Sequence, residues 1–260
     1  MEIVKLRQPH YSENKTGFYL YCIAKATEQN NIGSIKGIAD AQLQTIQHRE
    51  LSVIVSQVTR GRQQATRSNL LRHAEVLENI MQQTQILPIR FGIVAADEEE
   101  VINTVLKANY WSFHEILERL QGKKELGLKV LWQQQTVLNK LLEEDTELKN
   151  LRDSLAGRSD IAAYHEKIKL GRLLEAALRQ YQEALRSEIL DSLSELSEEL
   201  RENKLLTENM ILNSAFLVKS EDEEQFEERV NALGDKHELL TFKYTNVAPP
   251  YNFVNLTIKL

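Results

Sequence analysis

Between Gly17 and Ala24 apolar side chains fill both alternating sets of positions, Phe18, Leu20, Cys22 and Ala24 on one and Tyr19, Tyr21 and Ile23 on the other. Such a run predicts a strand covered on two faces. Leu43 to Gln47 and Leu51 to Gln57 flank His48, Arg49 and Glu50, and Val53, Ile54 and Val55 add β-branched residues, so these runs predict a hairpin. After Ser68, a predicted N-cap, Leu70, Leu71, Ala74, Leu77, Ile80 and Met81 recur at helical spacing and predict one inward face. Ile86 to Phe91 reads as a short buried strand, with Pro88 confined to its start or to a sheet edge. A second helix is predicted from about Asp97 to Gln121. It opens on four acids that suit the positive end of a helix dipole and is closed by Gly122. Glu125 to Trp132 follows as a strand, so that residues 1–132 form one α+β domain.

From Gln133 to about Leu206 the pattern is nearly continuous helix, interrupted at Gly157 to Asp160. In its second part Tyr164, Ile168, Leu174, Leu178, Tyr181, Leu185, Ile189, Leu193, Leu196 and Leu200 form an apolar stripe along a helix of roughly 65 Å. That stripe needs cover from another helix, the flanking domains or another chain. Residues 207–260 return to α+β. The predicted order is a strand Ile211 to Lys219, a helix Glu221 to Leu233 with Phe226 and Val230 inward, a strand Glu238 to Tyr244 and a terminal strand in which Val254, Leu256, Ile258 and Leu260 alternate with polar residues. The fold class is therefore α+β with two domains joined by long helices (133–206). The C-terminal portion, packed with part of the helical segment, is ferredoxin-like in its element order.

Charge is divided unevenly. Residues 1–132 carry a net +2 and residues 133–260 a net −8, within a total of −6. The second half has no basic field with which to release counterions from a phosphate backbone, which argues against a nucleic-acid partner. Arg60, Arg62, Arg67 and Arg72 fall where no acid intervenes between Glu50 and Glu75, but without a Gly-rich cradle they read as a solvated loop and helix start. The one cysteine, Cys22, reads as a buried hydrophobe and permits no intrachain disulfide. With no apolar run near the ~18 residues of a membrane span and no secretory pattern at the start, the expected location is cytoplasmic, without a lipid membrane.

Motifs for chemistry are incomplete. His114 and Glu118 share a helical face, but the second histidine of the zinc-protease pattern is missing, and His73 and Glu75 point to different sides of a helix. No catalytic, cofactor-binding or metal-ligating residue is assigned. Arg90 stands in an apolar strand context and calls for a buried ion-pair partner, or else serves a partner or anion site. Pro249-Pro250-Tyr251-Asn252-Phe253 is either a rigid turn that docks the terminal strand or a recognition edge. Two other classes stay open on the residues alone. One is an enzyme with Arg90 and His73 or nearby glutamates in a cleft between the domains; the other is a scaffold in which residues 161–205 form a coiled coil with a second copy.

Six stretches together resemble the gas vesicle protein F/L family. They are Gly17 to Ala24, His73-Ala74-Glu75-Val76-Leu77-Glu78, Leu87-Pro88-Ile89-Arg90-Phe91-Gly92, Glu125 to Trp132, Leu212 to Val218, and Pro249-Pro250-Tyr251-Asn252-Phe253-Val254. They span nearly the whole chain in the family's order. Asn246-Val247-Ala248 departs from the Gly-Pro-Trp found there in many members. The resemblance implies a non-enzymatic accessory or minor structural protein of the gas vesicle, the hollow protein-walled organelle that gives buoyancy. It would bind the apolar major wall protein and other accessory proteins during nucleation and assembly. The candidate partner-binding residues are Leu87, Pro88, Arg90, Phe91, Pro249, Pro250, Tyr251 and Phe253, together with the long helical stripe.

Overall fold

The computed structural model describes residues 16–26, 32, 35–158, 163–256 and 258. Its elements build two antiparallel sheets and divide the chain into two units, Met1–Gly122 with Val247–Leu260, and Lys123–Asn246. The class is α+β.

The first unit's sheet is β1 (Thr16–Lys25), β2 (Leu43–His48), β3 (Leu51–Thr59), β4 (Ile86–Pro88) and β5 (Val94–Ala95), in the order β2-β3-β1-β4 with β5 also on β1. Every residue from Tyr19 to Ala24 is fully buried, as the doubly apolar pattern predicts. A register shift between Leu20 and Cys22 lets Tyr19, Tyr21, Cys22 and Ala24 join one core cluster, because a bulge sets two residues of one strand against one of the other. The helix α1 (Arg67–Met81) brings Val76, Leu77 and Ile80 to that cluster. The opposite face is covered by a π-helical segment, Val101–Lys107, and by α3 (Tyr110–Leu120), whose Phe113, Leu117 and Leu120 are buried.

Several expectations are corrected in this unit. The cap of α1 is Thr66, which accepts from the Asn69 N–H, not Ser68. The inward face is His73, Val76, Leu77 and Ile80, so Leu70 and Leu71 stay exposed. The helix expected from Asp97 to Gln121 is a short turn α2 (Glu98–Glu100), the π-helical segment and α3, although Asp97 does cap its start.

The second unit runs β6 (Lys123–Trp132), α4 (Gln134–Glu144), α5 (Thr146–Ser154), α6 (Tyr164–Ser194), β7 (Glu199–Glu202), β8 (Met210–Lys219), α7 (Glu223–Lys236) and β9 (Leu240–Ala248). The sheet order is β7-β8-β6-β9. Leu126, Leu128 and Val130 of β6, Leu212 and Phe216 of β8, Leu185, Ile189 and Leu193 of α6, and Phe226 and Val230 of α7 share one core.

Here too the sequence-based boundaries move. The strand expected to complete the N-terminal sheet, β6, pairs instead with β8, so it belongs to the second unit and not to a 1–132 domain. The helical stretch expected to reach Leu206 ends at Ser194; Leu200 lies in β7, which pairs with β8, tertiary pairing overriding a helix-prone composition. The stripe of α6 is covered within this unit, where Leu178 and Tyr181 pack on its core, while Tyr164 and Ile168 remain exposed. Val254, Leu256 and Ile258 form no strand, and Leu260 lies outside the described residues.

Candidate partner-binding site

β4 and β5 are two pieces of one edge strand laid antiparallel on β1, Ile86–Pro88 against Ala24–Cys22 and Val94–Ala95 against Tyr19–Phe18. Between them the Ile89 N–H donates to the Tyr21 carbonyl at 2.8 Å, and the Ile93 carbonyl accepts from the Leu20 N–H at 3.0 Å. Arg90, Phe91 and Gly92 are thereby squeezed out of the ladder. Gly92 makes the loop feasible with φ of 97°, a region that residues bearing a Cβ rarely enter, and its N–H donates to the Tyr19 hydroxyl at 3.1 Å. The predicted strand Ile86 to Phe91 therefore stops at Pro88. Arg90 is correspondingly exposed instead of buried, and has no ion-pair partner among the described residues.

Behind the loop lies His73. Its Nδ1 sits 2.9 Å from the Tyr19 hydroxyl, and its Nε2 lies 3.1 Å from the Ile89 carbonyl and 3.2 Å from the Tyr251 hydroxyl. A carbonyl can only accept, so we assign the proton to Nε2, and Tyr19 donates to Nδ1. Burial holds the imidazole neutral, with its pKa pushed down to about 4 against the opposing pull of the Ile89 carbonyl. The ring stacks on Tyr21 and meets Tyr19 and Phe91 edge-on.

Pro249, Pro250 and Tyr251 bring the end of the chain onto this cluster. The Tyr251 N–H donates to the Pro249 carbonyl at 2.7 Å and the Phe253 N–H to that of Pro250 at 3.2 Å, closing a tight turn. Arg119 of α3 donates to the Phe253 carbonyl at 2.6 Å, and Phe253 is buried. The structure thus brings together two stretches, 87–91 and 249–253, that the sequence marked separately, and exposes them unequally. Leu87, Pro88, Pro250 and Phe253 are buried, Phe91 and Pro249 are half-buried, Arg90 is exposed, and Tyr251 is 37% exposed with its hydroxyl turned in to His73. A groove of about 220 Å³ remains between Pro88, Ile89, Arg90 and Ile93 on one side and Tyr251, Val254, Leu256 and Ile258 on the other.

The cluster holds the fold together and offers no reactive group. Both ring nitrogens of His73 are used, and burial raises the Tyr19 and Tyr21 phenols and the Cys22 thiol, keeping all three protonated. Arg90 lines the groove and His73 does not, so the pair does not converge on one cavity. Glu75 is engaged by Arg72. His114 stands 3.6 Å from both Glu50 and Glu118, and among the described residues no group of three His, Cys, Asp or Glu could hold a metal ion. No helix of the described residues is long and apolar enough to cross a membrane.

Spacing held a signal for His73, which stands three, four and seven residues before Val76, Leu77 and Ile80. Nothing in the sequence marked Trp111, which is 76% exposed beside Tyr110, whose ring carries the Arg49 guanidinium at 5.3 Å.

Comparison with known proteins gives a consistent result. The family model described as Gas vesicle synthesis protein GvpL/GvpF matches residues 17–255. Gas vesicle protein F of Nostoc sp. is 30% identical over 246 residues, covering 93% of this chain and 99% of that protein. Gas vesicle protein F1 of Halobacterium salinarum is 24% identical, over 86% of this chain and 87% of its own. The crystal structure of the gas vesicle protein GvpF from Anabaena sp. PCC7120 superposes with a TM-score of 0.85 at 28% identity, covering 94% of this chain and all of that one. GvpF from Microcystis aeruginosa superposes at 0.77, also at 28% identity.

Proposed function

Because the chain belongs to the GvpL/GvpF family of gas vesicle synthesis proteins, we propose that it is an accessory or minor structural protein of the gas vesicle that binds the apolar major wall protein and other accessory proteins during nucleation and assembly. The observation that carries this reading is the match to gas vesicle protein F along nearly the whole of both chains. It is supported by what unit 1 offers to a partner: an edge strand, a groove with apolar walls and the Arg90 cation, which has no ion-pair partner among the described residues, and no activated nucleophile in the cluster behind it. A wall subunit that assembles through apolar surface needs its strand edges shielded until it is added, and such an edge and groove can do that.

We also read the second unit as ferredoxin-like. Its β-α-β-β-α-β order and the sheet order β7-β8-β6-β9 support this, with the three helices α4, α5 and α6 standing where one crossover helix is usual.

The test is co-expression of the tagged full chain with the major wall protein, followed by affinity recovery and, in parallel, urea washing of purified vesicles. Retention of the wall protein supports the reading. Failure to retain it in either setting removes the wall protein as a partner.

A further inference from the structure

Extrusion of residues 90–92 is costly to arrange. It interrupts the ladder on β1 and uses a glycine at positive φ, and its effect is to re-aim one side chain, Arg90, out of the sheet and onto the rim of the groove. The groove walls are mainly aliphatic: Pro88, Ile89 and Ile93 from the strand side, and Val254, Leu256 and Ile258, with the Tyr251 ring, from the other. Among the described residues no acid lines it, whereas Arg72 is paired with Asp40 and Glu75 and Arg119 is held by the Phe253 carbonyl. An exposed cation beside apolar walls is complementary to a carboxylate carried on an apolar chain, not to a small free anion, for which one arginine is a poor cage.

We infer that this groove docks an extended protein segment in which a carboxylate among aliphatic side chains pairs with Arg90. A protein segment is favoured over an acyl chain because the groove lies at a sheet edge, where β4 has no strand partner beyond β1 among the described residues and an extended peptide can meet its open side. β4 is three residues long and ends in Pro88, which has no N–H to donate, so open-ended sheet extension is blocked. Recognition then falls to the groove and to Arg90. The inference deepens the function proposed above by naming a docking face, and rests on that reading for the partner being a vesicle protein.

The experiment uses the full chain and two labelled pools of seven-residue amidated peptides. Both alternate Ile, Leu or Val with Thr, and one has a Glu where the other has a Gln; binding is read by fluorescence anisotropy. The Glu pool should bind about tenfold more tightly than the Gln pool, the size of one charge-assisted hydrogen bond. Arg90→Gln should erase that difference and leave the melting temperature unchanged, since Arg90 is exposed; Arg90→Ala should behave alike. Pools that bind equally, or a difference that survives both substitutions, overturn the proposal. So does Arg90-dependent binding of dodecanoate with none of the Glu pool. These outcomes do not depend on capture of the wall protein, so the two readings fail separately.

Discussion

His73 Nε2 lies 3.2 Å from the hydroxyl of Tyr251, a residue 178 positions further along the chain. Through this contact the Pro-Pro-Tyr turn is fastened to a helix of the first unit, and both groups also reach the Ile89 carbonyl. Tyr251→Phe keeps the ring and removes the hydroxyl, so it should cost about 1 kcal/mol. The loss should appear as faster amide exchange confined to residues 249–256. His73→Phe should cost more, about 1–3 kcal/mol, because it leaves the Tyr19 hydroxyl without its acceptor. Unchanged exchange at 249–256 in Tyr251→Phe would show that the turn is held by Phe253 and Arg119 alone.

The neutral state of His73 makes stability depend on pH in a defined direction. Its folded pKa of about 4 lies below its ordinary value of 6.5, so the unfolded chain binds the proton more readily. The contribution is whole above pH 6.5 and is lost as pH falls toward 4, amounting to about 3 kcal/mol. Denaturant melts between pH 7 and 4 should show this loss, and His73→Phe should flatten it. At the alkaline end, burial pushes Tyr251 up to about 12 from an ordinary 10.0, so stability should fall again as pH rises above 10. A wild-type midpoint that is flat from pH 7 to 4 would contradict the buried, neutral assignment.

The start of α1 separates two residues that the sequence alone could not. Thr66 Oγ1 accepts from the Asn69 N–H, and Ser68 sits within the first turn. Thr66→Ala should cost about 1 kcal/mol and Ser68→Ala less than about 0.5, measured by urea unfolding. Reversed magnitudes would return the cap to Ser68.

What was legible in the chain followed from side chains that all demand the same thing. Tyr19 to Ala24 are apolar whichever way they point, and Phe226 and Val230 sit on one face of a short helix, so local pattern and burial agree. Where they disagree, the sequence misleads. Leu70 and Leu71 look like core, whereas His73 shares the spacing of Val76, Leu77 and Ile80 but is polar; the imidazole goes inward because Tyr19 and the Ile89 carbonyl satisfy both its nitrogens, partners that no local pattern can reveal. Arg90 looked buried because Leu87, Ile89 and Phe91 surround it in sequence, but the ladder on β1 closes without it. Glu199-Leu200-Arg201-Glu202 has a helical composition, and only the edge of β8 makes it a strand. Of the candidate site, the stretches 87–91 and 249–253 could each be named from the sequence, but neither that they meet nor which of their residues are exposed.

In the second unit Phe226 is fully buried and its ring lies 5.1 Å from that of Phe216 and 6.2 Å from that of Tyr244. Phe226→Ala removes a whole ring from a close-packed core and should cost about 3–5 kcal/mol. Phe226→Leu, closer in volume, should cost less. Thermal unfolding of the two variants decides this, and a loss below about 1 kcal/mol for the alanine would mean that the α7 face is loosely packed.

Gly37 is required for a reason other than backbone freedom. Its φ of −83° is open to any residue, but a Cβ placed there would lie 2.4 Å from the Tyr21 hydroxyl and 3.0 Å from the Ser56 hydroxyl. Those hydroxyls are bonded to each other at 2.9 Å, and the Tyr21 oxygen also accepts from the Ile38 N–H at 2.8 Å, so neither can step aside without stranding a buried polar group. Tyr21 in turn is the ring on which His73 stacks. Gly37→Ala should therefore cost about 1–3 kcal/mol by overpacking. The double substitution Gly37→Ala with Tyr21→Phe should recover part of that cost, because the atom in collision is gone. Additive losses in the pair, measured as a double-mutant cycle, would show instead that the chain near Gly37 moves away and that the Tyr21 hydroxyl does not set its position.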